Sequence, residues 1–279
     1  MARKLAIYVL GAGKVGTALA RALRRTGALV TLRAARQGLP KKTIDADLLI
    51  LAVRDGKLGE MVERLVEPGR VTRRTAVVHC AGALGTAPLE PLRAVCRGVA
   101  QMHPMISFAS KTFTPGLLRG QVGVDGDAAA VRMATLVARR LGMTPRRLTH
   151  VDKVAYHAAA GFVANGAAAL AAAGTELFAH GGVPPAVAAK MLGPLLRSVA
   201  DNVERLGLPD ALTGPVRRGD RIGVERHRDV IAGRTPHLTT LYRALVAAQI
   251  PLARQIGDAE SSAFDALERL IAAPPPPND

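Results

Sequence analysis

Ala6-Ile-Tyr-Val-Leu-Gly11-Ala-Gly13-Lys-Val-Gly16-Thr-Ala-Leu-Ala20 is the stretch on which the fold turns. Residues 6–10 read as a buried strand, and three glycines interrupt the apolar run. Residues 15–26 then read as a helix, with Val15, Leu19, Ala22 and Leu23 on one face and Arg21, Arg24 and Arg25 on another. Gly27 closes that helix as a C-cap. A strand that passes through a glycine turn straight into a helix opens a mostly parallel sheet with crossover helices. Strands are expected again at 29–32, 48–53, 76–80, 99–102 and 121–124, so the first half of the chain is predicted to be an α/β, Rossmann-type domain.

The glycine spacing also predicts a ligand. Gly11 permits the tight turn, Gly13 lets backbone approach a pyrophosphate, and Gly16 lets the helix pack close to the sheet. The helix's unpaired N–H groups then face phosphate, with Ala12, Lys14 and Val15 in the same turn. In NAD-specific versions an acidic residue about 20 positions on bonds the ribose hydroxyls. Here Thr31-Leu-Arg33-Ala-Ala-Arg36 has none. Arg33 and Arg36 offer bidentate donors to a 2'-phosphate, which predicts NADP in preference to NAD. Two solvated arginines are the alternative.

Ligands of such sheets sit outside the carboxyl ends of the strands. Val53 and Arg54 are therefore expected to line the nicotinamide half of the pocket, with Ala81 and His103 on the same rim. For His103 a turn or capping role is the alternative. Beyond Asp152 the chain becomes Ala-rich with long helical periodicity, punctuated by Pro184-Pro185, Gly207-Leu-Pro209 and Thr235-Pro236. Helices are expected at 152–180, 185–206, 219–233, 237–256 and 258–272. The domains read as 1–150 for the dinucleotide, 151–272 all-helical, and a disordered Pro-rich tail at 273–279.

Lys153, His157, Gly161 and Asn165 recur every four residues, drifting about 40° per step around an ideal helix, and so share one broad face. That face is expected to look toward the cleft between the domains. Lys153 or His157 would give a proton to a carbonyl oxygen or imine nitrogen, and Asn165 would bond the substrate. For His157 the alternative is a core histidine bonded to a backbone carbonyl. A second polar island runs from Thr213 through Arg217 and Arg218 to Asp220. Thr213 and Arg218 would hold a substrate carboxylate, while Asp220 would position an arginine or cap the next helix.

Composition narrows the function classes. The 279 residues are 49% hydrophobic and 22% charged, which excludes disorder and collagen-like repetition. Lys and Arg outnumber Asp and Glu 38 to 22, for a net charge of +16 that favours anionic partners. Nucleic acid is not the expected partner, because aromatics are only 3% and the basic residues lie scattered in pairs such as Arg73-Arg74 and Arg146-Arg147. Cys80 and Cys96, 16 apart with no second pair, suggest neither a disulfide framework nor a metal site. A cytoplasmic location is expected, since the apolar run at 5–10 is too short for a signal core. Residues 154–174 are apolar enough to raise a membrane span, but they hold His157 and Asn165 and are mostly Ala and Gly. A tightly packed internal helix is the expectation, and no membrane.

Taken together, the motifs resemble a bacterial Rossmann-like oxidoreductase family related to pyrroline-5-carboxylate reductase, 6-phosphogluconate dehydrogenase and the deazaflavin-dependent NADP reductases. The resemblance spans nearly the whole chain. It rests on Gly11-Ala-Gly13-Lys-Val-Gly16, His79-Cys-Ala81-Gly82-Ala, Met102-His103-Pro104-Met-Ile-Ser-Phe108, Tyr156-His157-Ala-Ala-Ala with Asn165, and 212–220. It implies an NAD(P)-binding domain, a helical domain that makes a homodimer, and an active site between them. The family pattern has Ser where Ala81 and Ala164 stand, so any role of those hydroxyls is absent or replaced here. The reaction expected is NADPH-dependent reduction of a small anionic carbonyl or imine, a 2-oxo acid such as ketopantoate or a cyclic imine acid. A non-catalytic NADP-binding sensor is the competing reading.

Overall fold

The computed structural model describes residues 3–113 and 116–273. The Pro-rich end at 274–279, expected to be a disordered tail, lies outside the described residues. By contacts the chain divides into two units, Met1–Ala164 and Asn165–Asp279. The division falls inside a long helix rather than ahead of it, so the first turns of that helix belong with the sheet.

The first unit is built on a seven-stranded sheet of β1 (Ala6–Leu10), β2 (Leu29–Arg33), β3 (Leu48–Leu51), β4 (Ala76–His79), β5 (Gly98–Pro104), β6 (Gln121–Gly126) and β7 (Thr144–Arg147), in the order β2-β1-β3-β4-β5-β6-β7. β1 to β5 pair in parallel, while β6 runs antiparallel to β5 and parallel to β7. β3 and β4, Leu-Leu-Ile-Leu and Ala-Val-Val-His, are buried at every position, as strands covered on both faces must be. Alternation sorts their side chains. Ile7, Val9, Leu48, Ile50, Ala76 and Val78 pack under α1 (Lys14–Arg25) and α3 (Ala128–Arg140). Leu49, Leu51, Val77 and Val99 pack under α2 (Leu58–Val66) and the 3-10 segment Ala87–Ala94.

The expected strands are all present, with Val53 and Cys80 just past the ends of theirs. β7 escaped the sequence reading because Thr-Pro-Arg-Arg has no apolar alternation. It is an edge strand, where proline and charge are tolerated and discourage further pairing.

The second unit contains most of α4 (Lys153–His180), then α5 (Pro185–Leu206), α6 (Arg221–Arg234), α7 (Thr239–Ile256) and α8 (Ser261–Ala272). α6 to α8 enclose a core of Val224, Val246, Ile250, Phe264 and Leu267. The last three expected helices start later than read: Asp220 caps α6 through its Oδ1, which accepts from the Gly223 N–H at 2.9 Å, one 3-10 turn precedes α7, and α8 begins only at Ser261. α4 departs from expectation. It was expected as an internal helix, yet none of its residues is buried, and Phe162 and Val163 are 85% and 71% exposed. By length and composition alone it could cross a membrane, since an 18-residue window within it has a mean hydropathy of 1.3.

Two of the three glycines in the β1–α1 turn are demanded by packing. Gly11 has φ +122°, and a Cβ there would overlap the Ala52 carbonyl; a Cβ at Gly16 would overlap the carbonyl oxygen of Gly11. A Cβ at Gly13 would meet nothing within 4 Å. Gly16→Ala is therefore expected to lower the unfolding free energy by about 1–3 kcal/mol, the usual range for overpacking. Gly13→Ala is expected to stay within about 1 kcal/mol of the parent. Urea titration of both variants checks the contrast.

Candidate functional site

Two cavities lie along the carboxyl ends of the parallel strands. The larger, about 500 Å³, is lined by Gly11, Ala12 and Gly13, by Ala34, Ala35 and Arg36 after β2, by Ala52 to Arg54 after β3, and by Lys57 and Lys111. Gly13 and Lys14 are exposed at the start of α1, so the first N–H groups of that helix are open to a ligand. Four cations surround this cavity with no carboxylate in its lining. An extended polyanion ending in a phosphate beside Arg36 fits that cradle, and the vacant side of Gly13 is where it would approach. A dinucleotide phosphate therefore fits the residues present.

The two arginines predicted to read the 2'-phosphate part company. Arg36 lines the cavity and is exposed. Arg33 turns back, its Nε and Nη2 donating to the carbonyls of Gly38 at 2.7 Å and Gln37 at 2.8 Å, and so shapes the loop that carries Arg36. Lys57 and Lys111 were not foreseen. Lys111 sits in the loop after β5, held to α1 by Arg21, whose guanidinium donates to the carbonyls of Lys111 and Thr112. No local pattern marks so distant a contact.

The smaller cavity, about 220 Å³, is lined by Val15, Ala52, Val53, Asp55, Cys80, Ala81, Gly82, His103 and His157. The backbone of Ala81 and Gly82 is gripped from two sides. The His79 ring, 1% exposed, accepts from the Ala81 N–H at Nδ1 over 3.1 Å, which leaves Nε2 to donate to the Gly85 carbonyl at 2.8 Å. Gln101, equally buried, donates to the carbonyls of Ala81 at 2.7 Å and Gly82 at 3.0 Å. His103 and His157 meet over Gly82, their rings edge to face with centroids 5.4 Å apart. Burial, and then the neighbouring His157, press the pKa of His103 down to about 4, and burial also lowers that of His79. Burial pushes the Cys80 thiol up to about 12, which keeps it protonated and unreactive. Among the described residues no group of three or more His, Cys, Asp or Glu side chains has metal-binding arrangement.

Of the residues predicted on α4, the structure brings only His157 to this cavity. Lys153 is engaged elsewhere: its ammonium donates to the Leu148 carbonyl at 2.6 Å and pairs with Asp125 at 2.9 Å, with the two side chains 11% and 23% exposed. It fastens the start of α4 to β6 and the end of β7. Asn165 is exposed on α4 in the second unit. In that unit Thr213 and Arg218 are also exposed, Asp220 caps α6, and Arg217 is occupied by Asp258 at 2.6 Å and by backbone carbonyls.

The sheet order and turn define the class, a Rossmann-like domain followed by helices. Residues 32–104 match the Rossmann-like domain family, and residues 121–249 match the family described as Domain of unknown function (DUF2520). A Bacteroides fragilis protein described provisionally as an NADP oxidoreductase shares the fold at a TM-score of 0.68 and 22% identity, over 89% of this chain and 98% of its own. A Thermotoga maritima protein does so at 0.64 and 22%, over 90% and 99%. A Plasmodium falciparum pyrroline carboxylate reductase with NADP bound does so at 0.58 and 12%, over 95% and 98%. No curated protein matches the chain.

The geometry generates two expectations about stability. Lys153→Met is expected to lower the unfolding free energy by about 1–3 kcal/mol, because it strands Asp125 and the Leu148 carbonyl. The second concerns pH. His79 and His103 have folded pKa values below the unfolded one, so the unfolded chain binds protons that the folded rings refuse. Their contribution is fully present above the ordinary imidazole range and is lost as pH falls from there toward about 4 for His103. Urea midpoints between pH 7 and pH 5 should therefore fall, and by less in His103→Gln.

Proposed function

We propose that this chain is an NADPH-dependent oxidoreductase that reduces a small anionic carbonyl or imine compound, of the 2-oxo acid or cyclic imine acid class. The observation that supports this most is the adjacency of the two cavities: a cationic cradle at a helix N-terminus, and beside it a small pocket with two imidazoles, sharing Ala52 and Val53. The likeness in fold to the proteins named above agrees with it. Gly11 to Gly16 would hold the pyrophosphate, Arg36 the 2'-phosphate, and Lys57 and Lys111 the remaining anionic charge. Val53, Arg54 and Ala81 would border the nicotinamide. When bound, NADPH supplies a hydride.

The chain's own residues do the rest. As the substrate carbon gains two electrons with the hydride, its oxygen or nitrogen must gain one proton. His157 gives that proton and, being exposed, is recharged from water. Lys153, the other candidate on sequence grounds, serves the fold. The volume of about 220 Å³ limits the substrate to a small molecule, and the net charge of +16 favours an anion. We infer further that a second copy of this chain, rather than lipid, covers α4 and α5. Runs of Ala at 167–169 and 171–173 let helices approach closely, and Lys190, Arg197, Asp201 and Glu204 interleave with the apolar residues of α5.

Purified protein is expected to oxidise NADPH with one class in a panel of 2-oxo acids and cyclic imine acids. His157→Ala should lower kcat by roughly 10²- to 10⁴-fold, and near-normal turnover would overturn its role. Arg36→Ser should weaken NADPH about tenfold or more while leaving NADH unchanged. Binding of NADPH without consumption by any substrate would favour the sensor reading. Light scattering on the eluted protein should give twice the chain mass, and a monomer would overturn the dimer.

A further inference from the structure

His103 Nδ1 and the Tyr156 hydroxyl lie 3.0 Å apart, and their rings meet edge to face at 5.5 Å. The hydroxyl is seated against Gly123 of β6 and the Leu148 side chain: a Cβ at Gly123 would lie 2.8 Å from the hydroxyl oxygen and 2.7 Å from Leu148 Cδ1. Among the described residues the hydroxyl has no other hydrogen-bond partner than His103. On the far side of the ring, Nε2 lies 2.8 Å from the place a Cβ of Gly82 would occupy, and Nδ1 of His157 lies closer still to that same point. Both rings thus press against the backbone of Gly82, and all three residues line the 220 Å³ cavity.

We infer that Tyr156 is a positioning residue that fixes His103 as the Nε2–H tautomer, so that His103 turns an N–H donor toward the cavity it lines together with His157. A neutral imidazole carries one N–H. Were it on Nδ1, the hydroxyl would have to accept, and its own proton would face Gly123 and Leu148, with no protein acceptor among the described residues. With the phenol donating, both groups are satisfied and the N–H is delivered to the cavity side. Burial keeps both groups neutral, lowering the pKa of His103 and raising that of Tyr156. The charged and titratable groups that act on His103 besides Tyr156 are His157, Asp55 and His79. A neutral donor suits this place, because it polarises an acceptor without placing a charge in a half-buried site.

The assignment rests on the proposed reaction for its purpose, but its first test does not need turnover. Nitrogen NMR of the ¹⁵N-histidine-labelled full chain at pH 7, with His103 assigned through His103→Gln, should show Nε2 protonated and Nδ1 unprotonated. Tyr156→Phe, which keeps the ring, should mix in the Nδ1–H form. An Nδ1–H tautomer in the parent chain, or a spectrum unmoved by Tyr156→Phe, would overturn the inference. If Tyr156→Phe does not fold, Gly123→Ala, which crowds the hydroxyl, is read in the same way. Once a substrate is in hand, Tyr156→Phe should lower kcat about tenfold with the NADPH affinity unchanged. If the parent chain oxidises no NADPH yet shows the Nε2–H form, the reaction is wrong and the tautomer assignment stands.

Discussion

The placement of the site depends on one close contact. Gly16 at the start of α1 rests against the carbonyl of Gly11, and Gly11 in turn rests against the backbone of Ala52 past the end of β3. With no side chain at either glycine, the helix can begin directly over the strand ends, and its first N–H groups open onto the cavity instead of onto bulk surface. The same contact brings Ala52 and Val53 into both cavities. A side chain at either position would lift the helix, move the cationic cradle and part the two pockets together.

What that contact does for the larger cavity, buried hydrogen bonds do for the smaller. His79 and Gln101 spend their polar groups on the backbone of residues 81, 82 and 85. Four bonds made by two buried side chains fix a loop that has no regular structure of its own. Gly82 then stands where the rings of His103 and His157 can meet above it. The imidazoles of His103 and His157 are thus carried by a strand end and a helix, and the loop held by His79 and Gln101 sets the space between them.

The β1–α1 unit, the positions of the first six strands and the helical second half were legible because each rests on local periodicity. The tight turn at Gly11 and the close packing at Gly16 were legible from the spacing of the glycines between strand and helix. β7 was not, since Thr144 to Arg147 form an edge whose pairing comes from β6 and not from their own pattern. On α4 the four-residue spacing is blind to partners: Lys153 met Asp125, and of the residues it grouped only His157 reached the cavity. Arg33 and Arg36 looked equivalent in sequence, and the carbonyls of Gln37 and Gly38 separated them. The pairing of His103 with Tyr156, 53 residues away, carries no sequence signal at all.

The cradle at the start of α1 is proposed to hold NADPH through phosphate contacts. Calorimetric titration of the full chain with NADPH and then NADH tests it most directly. The account predicts saturable binding of one nucleotide per chain, with NADPH bound about tenfold or more tightly than NADH, as a charge-assisted contact to the 2'-phosphate requires. Equal affinity for the two would contradict the role of Arg36, and binding of neither would contradict the reading of the site as a whole.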